Sequence, residues 1–227
     1  MPVIAFLPCR SGSKRVKNKN IKSFAGYNLG LFEIKINQLI NSKNISKIIV
    51  STDVCEVLEY LEKFNHKKIE IDERPKKFCS NTTTTDELIE YASSILPRDN
   101  VLWTHVTSPF VNSSDYDSMI KKYINRESNI YDSLMTVKEI KSFIWDLKNP
   151  YNYSRKKIKW PFTQNIESLY EINNGGFIAH RDIYEKYHDR IGKDPEYYIL
   201  DSIRSIDIDT PEQFDFANKI FKTIMHA

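Results

Sequence analysis

The sequence is short of the features that mark several common functional classes. It has three cysteines in 227 residues, Cys9, Cys55 and Cys79, with no CxxC and no His-paired spacing. That odd, scattered set excludes a disulfide framework and a structural zinc site and leaves reduced thiols. No apolar run approaches the roughly 18 residues of a membrane span. The first strongly basic stretch follows an apolar segment, the reverse of a signal peptide, so a cytoplasmic location is expected. Charge of one sign is lacking too. Lys+Arg 33 against Asp+Glu 30 gives a net +3, too balanced for a chain whose main partner is duplex nucleic acid or an anionic membrane. There are no internal repeats and no low-complexity segments.

What is present is a chain that is 41% hydrophobic and 12% aromatic, enough for one substantial core with an elaboration, so one domain over 1–227 is expected. Short β-rich runs alternate with helical periods. Val3–Leu7 leads to Phe32, Ile36, Leu39 and Ile40 at helical spacing and then to Ile48–Val50, a βαβ opening. The spacing predicts further helices over Glu56–Phe64, around Leu88–Leu96 and Tyr116–Ile124, with strands at Ile69–Ile71, Val101–Val106 and Leu134–Val137. This alternation predicts an α/β fold, a three-layer, mostly parallel sheet covered on both faces. From about Lys138 to Tyr170 the helical period stops and Pro150, Pro161, Tyr and Trp are scattered, which predicts a small β-rich insertion. The pattern resumes with Gly176–Ala179, a helix near Asp182–Tyr187, a strand at Ser205–Ile208 and a last helix from Pro211 with Phe214, Ala217, Phe221 and Ile224 inward.

The loop after the first strand runs from Pro8 to Asn20, and in an open α/β sheet such a loop lies at the ligand crevice. Ser11, Gly12 and Ser13 are small enough to let backbone N–H groups approach anionic oxygens, and Arg10, Lys14 and Lys19 can neutralise phosphoryl charge. The loop has one glycine, which excludes GxGxxG and GxxxxGK[ST] and so disfavours a nicotinamide-dependent oxidoreductase and an ordinary P-loop NTPase. The alternative is a solvated basic turn. Residues 1–32 hold six basic residues and no acid, so the bland total hides one cationic segment. Near the other end Asp207 and Asp209 alternate on the predicted strand and share a face, where hard oxygen ligands suit Mg²⁺. The alternative there is that Asp209 caps the final helix.

The string from Phe6 to Lys14, followed by Asn18-Lys19-Asn20-Ile21, resembles the nucleotide-binding signature of the acylneuraminate cytidylyltransferases, the CMP-N-acetylneuraminic acid synthetases. Arg74-Pro75 leading to Ser80-Asn81-Thr82, Thr107-Ser108-Pro109, Asn174-Gly175-Gly176 and Ser205 to Thr210 resemble later blocks of that family in the same order. The resemblance implies a fold of nucleotide-diphospho-sugar transferase type. It also implies CTP over the N-terminal loop, Mg²⁺ on Asp207 and Asp209, release of pyrophosphate, and a homodimer, with the insertion over about 138–170 as a dimerisation element or an acceptor flap. Carried over residue by residue, it places Arg10, Ser11, Gly12, Ser13, Lys14, Lys19 and Asn20 on the nucleotide and Arg74 and Ser80 beside its base and ribose. Lys19, Arg10 and Asp209 would serve the in-line attack on the α-phosphorus. His105, Thr107, Ser108, Asn174 and Gly175 would face the acceptor, a sialic-acid-like nine-carbon α-keto acid; an eight-carbon keto sugar acid, a phospho-compound or a phosphonate is the alternative acceptor. A nucleotide-binding module without catalysis is the alternative from another class, disfavoured by the presence of Lys19, Asp207 and Asp209 together.

The acceptor half departs from the family pattern. His105-Val106 stands where the family usually has Gln-Pro, and Phe110-Val111 where it has Leu-Arg. The family's arginine before the Asn-Gly block and its lysine in the insertion are unmatched, leaving Lys138, Lys141, Arg155, Lys156, Lys157 and Lys159 as candidate replacements. His105 is open to three roles, as an acceptor contact, as a base or as a packed, hydrogen-bonded side chain.

Overall fold

The computed structural model describes residues 3–156 and 158–225. Strand β1 (Val3–Cys9) is buried on both faces, as its unbroken apolar run requires. It pairs in parallel with β2 (Ile45–Thr52) on one side and β4 (Asn100–Trp103) on the other, while β3 (Ile69–Glu73) extends the sheet beyond β2. Beyond β4 come β6 (Leu169–His180), then β5 (Ser133–Ile140) and β7 (Pro195–Leu200), giving the order β3-β2-β1-β4-β6-β5-β7. Among these strands only β6 runs antiparallel to its neighbours. The mostly parallel α/β sheet is therefore present as expected.

Helices α1 (Gly30–Asn41), α2 (Cys55–Phe64), α4 (Ser113–Ile124) and α6 (Pro211–Met225) cover one face, packing on Val3, Ala5 and Leu7. Helices α3 (Thr85–Ile95) and α5 (Arg181–Tyr187) cover the other, against Ile4 and Phe6. The alternation along β1 divides one apolar strand between two cores. In α6, Phe214, Ala217 and Phe221 are buried as expected, whereas Ile224 is exposed.

Chain order leaves β1 toward β2 on one side and returns to β4 on the other, so the crevice opens between the carboxyl ends of β1 and β4. Pairing of β1 with β4 ends at Phe6 and Trp103, with Thr104 N–H donating to the Phe6 carbonyl. Pro8, two residues on, turns its missing N–H to the side that β4 has just left, so the proline costs the ladder nothing there.

Three expectations are corrected. Ser205–Ile208 is not a strand: the sheet position is taken by β7, which the sequence pattern did not reveal, and 205–209 crosses above the strand ends with Ile208 N–H bonded to the Thr107 carbonyl. The apolar run at Val101–Val106 stays in the sheet only to Trp103. The insertion is β only at its root, where Val137–Ile140 pairs with Leu169–Ile172; its tip is irregular apart from one bridge, Trp145 to Pro150, and one 3-10 turn. The tip is tied by Asn152, whose amide donates to the Ser142 and Glu167 carbonyls, and by Trp160 and Tyr153 against Phe143.

A fully buried lysine holds the β4–α4 connection in place. Lys35 Nζ donates to the carbonyls of Ser108 (2.8 Å) and Val111 (3.0 Å) and to the Tyr116 hydroxyl (2.6 Å), using all three donors. Burial pulls its pKa well below the ordinary lysine value, with Asp115 and Asp207 opposing the shift. Lys35→Met keeps the volume but strips the Val111 carbonyl of its donor and leaves the Ser108 carbonyl only a long bond from Val111 N–H (3.4 Å), and is expected to lower stability by about 1–3 kcal/mol in urea unfolding, the cost of one unpaired buried group.

Candidate active site

The loop after β1 is pinned at both ends and open in the middle. Ser11 N–H and Oγ donate to the two carboxylate oxygens of Asp53 (2.8 and 2.6 Å), and Asn20 Nδ2 donates to the Arg10 carbonyl (3.0 Å). Gly12 sits at φ +76°, a conformation suited to glycine, and the Gly12, Ser13 and Lys14 amides donate to no protein group among the described residues. Ser11 is thereby corrected from a free phosphate donor to an anchor. Asn18 at φ 54° turns the chain so that Lys19 points back across the cleft.

Lys19 Nζ donates to the Ile208 carbonyl (2.5 Å) and to Asp209 Oδ1 (3.1 Å), an oxygen that Arg15 Nη2 also reaches at 3.0 Å. Ile208 is buried and the aspartates on either side of it line the cleft, so the pair shares a face even without a strand. Asp209 does not cap α6. Thr210 does, its Oγ accepting from Gln213 N–H while the Gln213 side chain accepts from Thr210 N–H, a capping box that frees the Asp209 carboxylate. Asp207 Oδ2 accepts from Asn174 Nδ2 (2.6 Å), and Asp207 Oδ1 is buried with no partner among the described residues. An orphaned carboxylate oxygen beside a second carboxylate is a fit for a hard cation. No group of three or more His, Cys, Asp and Glu side chains that could hold a metal ion occurs among the described residues, so water and phosphate oxygens would complete the shell.

The cleft has a volume of about 520 Å³. Its five cations, Arg10, Lys14, Arg15, Lys19 and Arg74, outnumber the two aspartates, so the site selects anions. The far wall carries Phe78, Asn81 and Thr83 to Thr85, none given a site role from the sequence although Asn81 stands in a quoted block, and Arg10 Nη1 donates to Asn81 Oδ1 (3.0 Å) across the opening. The Thr84-to-Glu87 capping box was the available signal for that wall, since it marks a helix N-terminus at the cleft. Arg74 is buried, donating to the Ser51 hydroxyl and carbonyl, and still reaches the cleft.

The structure does not gather every expected residue. Ser80 stays outside the cleft, its hydroxyl bonded to Thr82 and Thr83 in its own turn. Ser108 is buried beneath the cleft floor, and Gly175 has its N–H on Asn173 and its carbonyl on Thr104, so neither can contact an acceptor. Thr107, Asn174 and His105 do line the cleft. Of the candidate acceptor cations, Lys138 lines a neighbouring cavity of about 390 Å³ that shares Asp207 and Asp209 with the cleft, Arg155 lies over Trp145 and Trp160, and Lys157 falls outside the described residues. Burial pushes the Cys9 thiol up to about 12 and the Cys79 thiol up to about 11, so both are poor nucleophiles at neutral pH.

A family model described as cytidylyltransferase matches residues 4–223. The chain belongs to the cytidylyltransferase family. It is 24% identical to the pseudaminic acid cytidylyltransferase of Campylobacter jejuni (serotype O:2) over 98% of this chain and 97% of that one. With the N-acylneuraminate cytidylyltransferase of Escherichia coli O18:K1:H7 it shares 26% identity over 95% of this chain and 51% of that longer one. Its fold matches the solved structure of CMP:2-keto-3-deoxy-manno-octonic acid synthetase complexed with CTP at a TM-score of 0.70, with 14% identity and 99% of this chain covered (100% of that one). The 4-diphosphocytidyl-2C-methyl-D-erythritol synthase of Anaerococcus prevotii follows at 0.67, with 17% identity and coverage of 97% and 96%. For a cytidylyltransferase, a cationic loop facing an aspartate pair is the expected chemistry: phosphoryl transfer needs positioning and electrostatics more than a covalent nucleophile.

His105 is held neutral. Burial lowers its pKa well below 6.5, and Arg190, Lys19, Arg74 and Lys35 push the same way. Below about pH 6.5 the unfolded chain takes up a proton that the folded one refuses, so this contribution is whole above that pH and is lost as the pH falls further. Relative to wild type, His105→Gln is therefore expected to gain stability on going from about pH 7 to about pH 5, by up to about 1.4 kcal/mol per pH unit, in unfolding curves collected across that range.

Proposed function

We propose that this cytidylyltransferase couples CTP to a sialic-acid-like nine-carbon α-keto acid, releasing pyrophosphate. The observation that carries the reading is the Lys19–Asp209 pair set beside the unpartnered buried oxygen of Asp207, opposite a loop whose amides at Gly12, Ser13 and Lys14 are free. Those amides, with Arg10, Lys14 and Arg15, take the triphosphate oxygens. Lys19 stabilises charge growing on the α-phosphate as the acceptor oxygen bonds to phosphorus and the bond to pyrophosphate breaks. Asp207 and Asp209 would hold Mg²⁺, which supplies charge neutralisation on the transferred phosphoryl group when bound. His105 is not the base, because its Nε2 lone pair is already used by Trp103 and Arg190.

The acceptor class rests on the two relatives named above, whose similar identities favour neither pseudaminic acid nor an N-acylneuraminate. The homodimer is part of the proposal, with Leu147, Tyr151, Trp160 and Phe162 of the insertion as its exposed apolar surface. Sedimentation of the full chain at twice its 26.7 kDa mass is expected.

Pyrophosphate release with CTP and Mg²⁺ against N-acetylneuraminic acid, pseudaminic acid and 2-keto-3-deoxy-octonic acid tests the assignment. Turnover with a nine-carbon acid is expected; turnover with UTP or ATP in place of CTP, or with none of the acids, would sink it. Lys19→Ala should cut kcat by about 10²–10³ with a much smaller change in the KM for CTP, the size seen when one transition-state donor is removed. Asp207→Asn should abolish the dependence of rate on divalent cation, read from a Mg²⁺ titration.

A further inference from the structure

Arg190, in the loop after α5, carries a guanidinium without an ion pair among the described residues; the adjacent Asp189 carboxylate instead accepts from the Arg190 backbone N–H. Its guanidinium lies 4.0 Å from the ring centre of Phe177 and 5.1 Å from that of Trp103, and among the described residues no carboxylate stands within ion-pair distance. Its hydrogen-bond partner is a neutral one, His105 Nε2, at 2.9 Å from Nη1. A half-buried charge paired with nothing of opposite sign is costly, and the stacking on two rings offsets only part of that cost.

The partners of His105 fix its tautomer. Trp103 Nε1–H reaches the same Nε2 at 3.0 Å, and indole and guanidinium are donors only. Nε2 therefore accepts twice and the ring proton sits on Nδ1. That nitrogen has no protein partner among the described residues and is not among the buried unpartnered atoms, while His105 lines the cleft together with Asn174 and Asp207. The result is an N–H turned to the cleft and polarised by a cation directly behind it. It stands on the β4–β6 side, away from the β1 loop whose cations engage Asp209 and Asn81.

We propose that Arg190 is a positioning residue of the acceptor subsite: it locks His105 as the neutral Nδ1–H tautomer, whose N–H donates to an oxygen of the anionic acceptor. The proposal rests on the acid-sugar reading above.

The test is ring ¹H–¹⁵N correlation on protein labelled at histidine, combined with kinetics. The free protein is expected to show His105 as the Nδ1–H tautomer, and that proton is expected to shift on adding N-acetylneuraminate or pseudaminate but not on adding CTP. Arg190→Met should raise the acceptor KM about tenfold or more, the effect of losing one hydrogen bond to a charged group, with the KM for CTP within about twofold. Arg190→Lys should recover most of that loss. An Nε2–H tautomer, a ring signal indifferent to both sugar acids, or a CTP KM that rises with the acceptor KM would overturn it. If Arg190→Met does not fold, the wild-type titration decides alone. A sugar-dependent shift without any pyrophosphate release would retain this subsite and discard the proposed reaction.

Discussion

One ammonium group organises the site. Lys19 Nζ, within 2.5 Å of the Ile208 carbonyl and 3.1 Å of Asp209, joins a loop that leaves β1 to a segment that arrives nearly two hundred residues later. Without it, the four remaining cations would face each other across a polar opening with less to fix their separation. The pair is mostly shielded on the lysine side and half-open on the aspartate side, so the attraction is stronger than that of a surface pair and remains open to competition from a ligand. The capping box at Thr210 and the bond from Ile208 N–H to Thr107 hold the other end of the tie.

Behind that tie the floor is built from buried polar posts, not from apolar packing alone. Lys35 fixes the carbonyls of Ser108 and Val111, and Thr104 Oγ joins the Gly175 carbonyl to the Tyr116 hydroxyl. Thr136 does the same for Asn173 and Gly176. Pairing of β6 with β4 stops at Phe177 and its pairing with β5 is broken between Phe177 and Ile172, so the carbonyls of Asn173, Gly175 and Gly176 lack ladder partners and are met by side chains. Gly175, expected at the acceptor, therefore serves the floor instead, as does Ser108 in the β4–α4 connection.

The sequence made the fold legible where local pattern and tertiary role agree. The apolar runs of β1, β2 and β5 are buried on both faces and the helices between them carry clear apolar stripes. Strand β7 escaped because it lies at the sheet edge with Tyr197 and Ile199 exposed, so it lacks the continuous run of an interior strand. Ser205–Ile208 imitated a strand because Ile206 and Ile208 alternate, although one buried isoleucine and one backbone bond to Thr107 account for that spacing. In the site, Arg10, Lys14, Lys19, Asp207 and Asp209 were legible because charge type and chain position carry the chemistry. Asn81 and Arg190 were not, because their roles depend on which side chain meets them across the fold, Arg10 for the first and His105 for the second.

The cationic segment is shared unequally between the two aspartates. Arg15 and Lys19 both lean on one oxygen of Asp209, while Asp207 has only the neutral amide of Asn174 on one oxygen and nothing on the other. A triphosphate entering the loop competes for Arg15 and Lys19 and so withdraws positive charge from Asp209 just as further negative charge arrives. A cation entering with the nucleotide would offset the charge of the two carboxylates and the phosphate oxygens. In the proposed reaction, charge balance would couple nucleotide and cation binding: the loop attracts the anion, and the aspartate pair would favour a hard cation that arrives with it.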